Sequence, residues 1–244
     1  MNDPYQTMAA RYDAMHQPDP ARQAFFERLF AERGIANVLD CACGTGRDLL
    51  MFNSLGINVQ GSDLSPSMLD QACANLRKAG IAALVTEADF CKLPESFAGK
   101  FDAAVCLTNS INEVLDDALV ITALKSMARA LRKGGTLVLD QGQTDFSMRN
   151  PARFSTVVNN QELTRFFVLD YAKDIMTVNI FDFQHSHEGC GQNYSEVKLK
   201  IRLADDWKAL LNQAGLTQHE FVGGWHGEPY DKGSSARLII VARN

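Results

Sequence analysis

The stretch "NVLDCACGTGRDLL", residues 37–50, sets a carboxylate, Asp40, ahead of three positions with little or no side chain: Ala42, Gly44 and Gly46. Backbone that bare, after a short apolar run, lets a ligand approach the main chain closely. The amides that open the next helix point toward it. Asp63 follows 17 residues beyond Gly46, where a second apolar run ends. A carboxylate there can accept both hydroxyls of an adenosine ribose. Two cofactor classes share that need. A dinucleotide fingerprint asks for a third glycine at position 49, for close helix–strand packing, and Leu49 stands there. The small residues at 42, 44 and 46 suit instead a short amino-acid tail, and so a sulfonium nucleotide.

These residues need elements to hold them. "PARQAFFERLFAER" (20–33) has Phe25, Phe26, Leu29 and Phe30 at helical spacing, with Pro20 in the first turn and Gly34 as a stop. Val38–Leu39 reads as a buried strand, about Thr45 to Ser54 as a helix, and "INVQGSD" as a second strand. A helix capped by Ser65 and Pro66 closes on Gly80. "IAALVTEAD" and "FDAAVCL" are further strands, residues 116–132 a helix ending in "RKGG", and "TLVLD" a fifth strand. Strand and helix alternate from 37 to 140, the pattern of a parallel sheet covered on both faces. From 146 to about 203 alternating aromatic and β-branched positions replace helical periods, which predicts an antiparallel insert of about three strands. Helical "ADDWKALLNQAGL" and strands "QHEFVGGW" and "ARLIIVARN" complete the sheet. The expected fold is α/β, Rossmann-like and doubly wound, a mostly parallel seven-stranded sheet with the insert capping the active site. We read residues 1–244 as one domain, 1–36 as an N-terminal helical cap and 146–203 as the substrate cap.

The chain has 244 residues, 46% of them hydrophobic, and a net charge of −5. An acidic chain without a basic run gives no support for a nucleic-acid or anionic-membrane partner. "MNDPYQTMAARYD" lacks signal-peptide character, so a cytoplasmic location is expected. The six cysteines match no zinc or redox spacing and read as reduced thiols. His185, His187 and Cys190 in "HSHEGC" lack a fourth ligand, and no metal is expected.

"VLDCACGTG", "GSDLSPSML", "EADF" and "FDAAVCLTNS", in this order and spacing, resemble the class I S-adenosylmethionine-dependent methyltransferases. The resemblance is firm over residues 37 to about 140 and looser toward both ends. It implies S-adenosylmethionine as cofactor. It assigns Ala42, Gly44 and the backbone between them to the methionine half, with Asp40 and Gly46 in the same site. It gives Asp63 the ribose diol, sets Leu64 and Met68 against adenine, and has Asp89 and the Phe90 amide meet the adenine edge. The Leu107 carbonyl would meet the methionine amino group. Met68, at helical spacing, also suits the core.

Within the class, "FDAAVCLTNS", "GGTLVLDQGQTDF" and the insert are similar to the glycine N-methyltransferase group and related small-molecule N-methyltransferases. That resemblance implies that Asn109 touches the substrate; the plainer reading is a loop asparagine bonding local backbone. Two positions depart from the group. Gly142 replaces an Arg that clamps the substrate carboxylate, so Arg149 or Arg153 would have to reach in for glycine to bind. Glu113 replaces a His, and reads either as an exposed cap or as a partner for a cationic or hydroxyl-bearing substrate. Tyr12 resembles the N-terminal tyrosine that closes over the sulfonium. His226 and Tyr230, before the last strand, are candidate base or positioning residues. The resulting expectation is methyl transfer to a small molecule, foremost an amine nitrogen. An O- or C-acceptor, or a non-catalytic cofactor-binding module, are the alternatives. The partner is a small-molecule substrate, with no nucleic acid or membrane, and assembly into a homo-oligomer is left open.

Overall fold

In a computed structural model, which describes residues 5–187 and 189–243, the alternating pattern becomes a three-layer sandwich. A short 3-10 turn, Ala9–Met15, precedes helix α1, Pro20–Arg33. Asp19 starts that helix by accepting from the amides of Ala21 and Arg22 at 3.1 and 3.2 Å, and Gly34 ends it in the left-handed region. There follow β1 (Asn37–Asp40), α2 (Arg47–Ser54), β2 (Asn58–Asp63), α3 (Pro66–Lys78) and β3 (Leu84–Glu87). Next come β4 (Phe101–Cys106), α4 (Asp117–Ala130) and β5 (Leu131–Gln141). The insert supplies β6 (Phe154–Asn159), β7 (Leu163–Ala172), β8 (Ile175–Ser186) and β9 (Gly189–Lys200). The chain closes with α5 (Ala204–Ala214), β10 (Gln218–Val222) and β11 (Leu238–Arg243).

The first sheet has seven strands in the order β10-β11-β5-β4-β1-β2-β3, parallel except for β11, which runs against both of its neighbours. From β1 the chain winds outward through β2 and β3, then returns to β4 on the other side. Strand order therefore reverses between β1 and β4, and a crevice opens at their carboxyl ends. Under α4 and α5, Leu124, Met127, Trp207 and Leu211 fill one face. Phe26, Phe30, Leu49 and Phe52 fill the other, with the rings of Phe26 and Phe52 4.9 Å apart, edge to face. Burying such side chains contributes about 1.5–3 kcal/mol each, which makes the two faces the main reason the sheet holds its edges in place.

The insert forms a separate antiparallel sheet of four strands, β6-β7-β8-β9, where the sequence predicts about three. The missed strand, β6, is a largely exposed edge whose pairing slips between Thr156 and Val158, so its alternation is broken. The inner face, with Met176, Val178, Ile180 and Leu199, packs on Met8, Tyr5 and Tyr12 of the N-terminal segment. Arg165 and Asp182, both buried, join across β7 and β8 by two hydrogen bonds of 2.6 and 2.5 Å, and Arg165 also reaches the Arg11 carbonyl. The N-terminal segment is thereby held between the second sheet and the first.

Several element boundaries differ from the sequence reading, among them the start of β3, at Leu84 rather than Ile81. Helix α4 ends at Ala130 because β5 already begins at Leu131, with an irregularity opposite Phe101–Ala103. Helix α2 starts at Arg47, since Gly46 is its left-handed cap. Strand β10 stops at Val222, after which Gly223 turns back onto the Glu228 carbonyl. Among the described residues, no helix is long and apolar enough to cross a membrane.

Candidate active site

The turn after β1 is shaped from within. Asp40, buried at the strand end, accepts from the Ala42 amide at 3.1 Å. Burial, with the charge of Asp48 adding to it, pushes this carboxyl up to about 8. Gly44 and Gly46 both take positive φ, 51° and 81°, which residues with a Cβ adopt at a cost. Gly46 also lies so near α3 that a Cβ would sit 3.3 Å from that of Ala72.

Asp63, at the end of β2, faces this turn. Its Oδ2 accepts from the Gly44 amide at 2.8 Å and its Oδ1 from the Ser65 amide at 2.9 Å. Both bonds fix the plane of the carboxylate beside the bare backbone. A carboxylate offers about four acceptor positions, so a sugar diol is compatible with both amides. Close approach of α2 to the sheet, which the dinucleotide pattern achieves with a glycine at 49, is achieved here from the opposite side. Gly61 in β2 has no Cβ, and one built there would lie 2.8 Å from both Leu49 Cδ1 and Cys43 Sγ.

Leu64, next after Asp63, is more than half exposed, an apolar surface flanking the carboxylate. Met68 is buried and its methyl lies 3.9 Å from where a Cβ of Gly44 would be, so it packs in the core and also floors the turn. Asp89 is exposed and caps the short turn Phe90–Lys92 by accepting from Cys91 at 2.7 Å. The Ala88 amide, donating to the Asp63 carbonyl, ties that turn to the same edge. A surface hollow of about 450 Å³, lined by Asp13, Arg47, Leu50, Asn75, Lys78 and Ala79, lies behind the glycine turn. It includes neither Asp63, Asn109 nor Glu113.

Across the crevice, β4 ends in two consecutive left-handed residues, Thr108 (φ 59°) and Asn109 (φ 68°). For a β-branched residue this is an outlier that its surroundings must impose. Asp140 imposes it. Its Oδ1 accepts from the Thr108 amide at 2.6 Å, its carbonyl accepts from the Asn109 amide at 3.1 Å, and Arg237 pairs with its Oδ2. Asn109 Oδ1 in turn accepts from the Gly142 amide at 2.9 Å, which leaves its Nδ2 as the end that can meet a ligand. The Leu107 carbonyl accepts from the Ser110 hydroxyl at 2.9 Å.

Glu113 is not the exposed cap that its position in the sequence suggests. It closes the 3-10 turn Ser110–Glu113 and is partly buried, with Tyr5 Oη donating to its Oε1 at 2.5 Å. Burial raises its carboxyl to about 7, the Tyr5 hydrogen bond opposing this and Asp63 adding to it. Tyr12 stands beside Tyr5, with ring centroids 6.2 Å apart, and 5.0 Å from the His16 ring. Its phenol is pushed up to about 12, by burial first. His16 is lowered to about 4 by burial and then by Arg47, and is neutral at pH 7. The segment is strapped down at a second point, where Asp13 accepts from the Thr45 hydroxyl and, at 2.8 Å, from Asn75 Nδ2.

The structure thus gathers Asp40, Ala42, Gly44, Gly46, Asp63, Leu64, Met68, Leu107, Asn109 and Tyr12 around one crevice. His226 is not among them. It is exposed on the turn after β10, where its carbonyl accepts from Arg28 of α1 at 3.3 Å. Tyr230 is held by Asp145, donating to its Oδ2 at 2.9 Å and accepting from its amide at 3.0 Å. Arg149 and Arg153 are turned away, to the Lys232 carbonyl and to Asp170. His185 pairs with Thr164 at 3.0 Å, and Glu188 of the same "HSHEGC" stretch lies outside the described residues. Sequence reasoning missed Tyr5 and Asp140, because their partners, Glu113 and the Thr108 amide, lie 108 and 32 residues away in the chain.

A Rossmann-like sheet with a glycine turn at the order reversal, a carboxylate on the next strand and leucine rather than glycine at 49 fits a class I methyltransferase architecture. The family model "Methyltransferase domain" matches residues 38–135. Human glycine N-methyltransferase is 30% identical over 87% of this chain and 80% of its own. The glycine/sarcosine N-methyltransferase of Parasynechococcus marenigrum is 35% identical over half of this chain, and the chain spans only 43% of that relative. Among solved structures, CalS10 of Micromonospora echinaspora, an amino pentose methyltransferase with S-adenosylmethionine bound, superposes with a TM-score of 0.77 at 22% identity, over 100% of this chain and 99% of its own. This chain belongs to the S-adenosylmethionine-dependent methyltransferases, near the glycine N-methyltransferase group.

Proposed function

We propose that this enzyme methylates the nitrogen of a small-molecule amine. The observation that carries the reading is kinship along most of the chain with a glycine N-methyltransferase. Residues 5–15 and the insert, 146–203, act as the caps that enclose the acceptor, while α1 packs on the sheet face.

The crevice fits the cofactor on its own chemistry. Ala42 and Gly44 would hold the amino-acid end against bare backbone, Asp63 would take the sugar diol, and Leu64, Met68, Asp89 and the Phe90 amide would border the base. The Leu107 carbonyl would meet the amino group of the tail. When bound, the cofactor supplies a methyl group on a cationic sulfur, an electrophile with a good leaving group. The chain's own task is then to orient and dehydrate, and positioning alone can contribute about 7–11 kcal/mol to such a transfer. Asn109, locked by Gly142 and Asp140, positions the acceptor, and Tyr12 offers its ring face to the cation. Methyl-labelled S-adenosylmethionine, offered with glycine, sarcosine, glycinamide, ethanolamine and an amino pentose, tests this. Label is expected on amine nitrogen. Label appearing only on hydroxyl or carbon acceptors would remove the reading.

A further inference from the structure

We propose that the outer face of the insert sheet is the contact between two copies of this chain, which pair face to face as a two-fold dimer. The inference does not depend on which acceptor the enzyme uses.

Alternation gives the four-stranded sheet two faces. The inner one, with Met176, Val178, Ile180 and Leu199, is buried against the N-terminal segment. On the outer one the pairing sets Thr156, Phe166, Phe181 and Tyr194 directly opposite one another, in a row that crosses all four strands. Phe154 and Phe183 flank that row. Phe166 stacks on Phe181 and Phe183, with centroids 5.2 and 5.8 Å apart and planes 15° and 12° from parallel. Phe154 lies 5.3 Å from Phe166, and Tyr194 5.2 Å from Phe181. The Tyr194 hydroxyl is spent within the chain, donating to Asn179 Oδ1 at 2.8 Å. At the two margins Phe154 and Tyr194 remain 59% and 55% exposed. The solvated face of an antiparallel sheet is ordinarily polar, and a continuous apolar patch on a surface marks an interaction site.

Breadth and charge choose the occupant. A broad sheet face is covered by another sheet, about 10 Å away with its strands within about 30°. Four strands about 4.8 Å apart, three of them ten to twelve residues long, make a face of about 19 by 35 Å. Covering it with a second copy removes about 650 Å² from each partner and about 1,300 Å² in all, within the range of stable interfaces. The ion pairs on this face, Arg153 with Asp170 and Lys198 with Glu196, leave it without a net sign that would draw an anionic membrane or a polyanion.

The charges also lie where a two-fold needs them. An axis along the strands lays β6 over the partner's β9 and β7 over the partner's β8. Phe166 then meets the partner's Phe181 at the centre. Phe154 comes beside the partner's Tyr194, and Arg153, next in sequence, beside the partner's Glu196. Each contact is made twice, as a self-complementary patch requires. The inner face of the same sheet holds the N-terminal segment, so the dimer braces the cap from behind.

Sedimentation velocity on the full chain, from 1 to 50 µM, tests this. Wild type is expected to sediment as a dimer, at twice the chain mass of 26.9 kDa. Phe154→Asp and Tyr194→Asp each change a position that is more than half exposed, and each sets a carboxylate in the paired aromatic surface. Each is expected to weaken the dimer at least 100-fold, giving a monomer at 10 µM with the far-ultraviolet circular dichroism of wild type. A wild type that stays monomeric up to 50 µM overturns the proposal, even if both variants fail to fold. A dimer that persists in both folded variants also overturns it, because the copies would then pair through another face.

Discussion

Glu113→Gln in the ligand-free protein should change the pH dependence of stability in a way that can be worked out beforehand. The ordinary value for this carboxyl is 4.5, and burial raises it to about 7 in the fold. Below pH 4.5 it is protonated whether folded or unfolded, and contributes no penalty. Between 4.5 and 7 the folded chain keeps a proton that the unfolded chain has released, so stability falls as pH rises. Above 7 it is ionised in both states and the loss is complete, about 3 kcal/mol for a displacement of this size. Glutamine matches the shape, still accepts from Tyr5, and never ionises. The variant should therefore be the more stable protein at pH 8 by up to about 3 kcal/mol, the gap closing toward pH 5. Asp40 is raised as well, to about 8, but it is common to both proteins and cancels. Urea unfolding followed by the fluorescence of Trp207 and Trp225, both buried, reads the difference at each pH. A gap that stays constant from pH 5 to 8, or a variant less stable at pH 8, would show that Glu113 is not held away from water as described.

The other predictions concern the cofactor turn and the open space beside it. Asp63→Ala should weaken cofactor binding by about 1–3 kcal/mol through lost hydrogen bonds, and unchanged affinity in calorimetry would remove Asp63 from the site. Gly61→Ala should destabilise by about 1–3 kcal/mol, since a methyl would press on Leu49 and Cys43 at 2.8 Å; a melting temperature equal to wild type would contradict that packing. Gly142→Arg, at a half-buried position where a Cβ would meet nothing within 4 Å, should leave stability within about 0.5 kcal/mol, and should lower the KM for glycine if that amine is methylated. A large fall in melting temperature would mean that the space is not open.

Much of this molecule is legible along the chain because its signals are local. The Ser65 cap, Pro66 and the stop at Gly34 act within a few residues, and the alternation from 37 to 140 is a periodicity. The glycine turn is likewise one continuous string. The rest depends on partners distant in sequence. Glu113 looks like a solvated cap until Tyr5, 108 residues earlier, is laid over it. Asn109 offers two hydrogen-bonding ends, and only its pairing with Gly142, from the next strand, shows which of them is spent. The two left-handed residues at 108 and 109 have no glycine to announce them, because Asp140 and Arg237 supply the constraint. Strand β6 escaped notice for a different reason: an exposed edge with a slipped register has little alternation to display.

The contact between Gly61 and Leu49 has a consequence for how such turns should be recognised. Closeness of helix and sheet is a property of a pair of positions, and either partner can supply the missing bulk. A bulky residue at 49 demands glycine at 61, and a larger residue at 61 would demand a smaller one at 49. Positions 49 and 61 should therefore covary across homologues, and a search pattern confined to the loop reads only half of the information that distinguishes one nucleotide pocket from another.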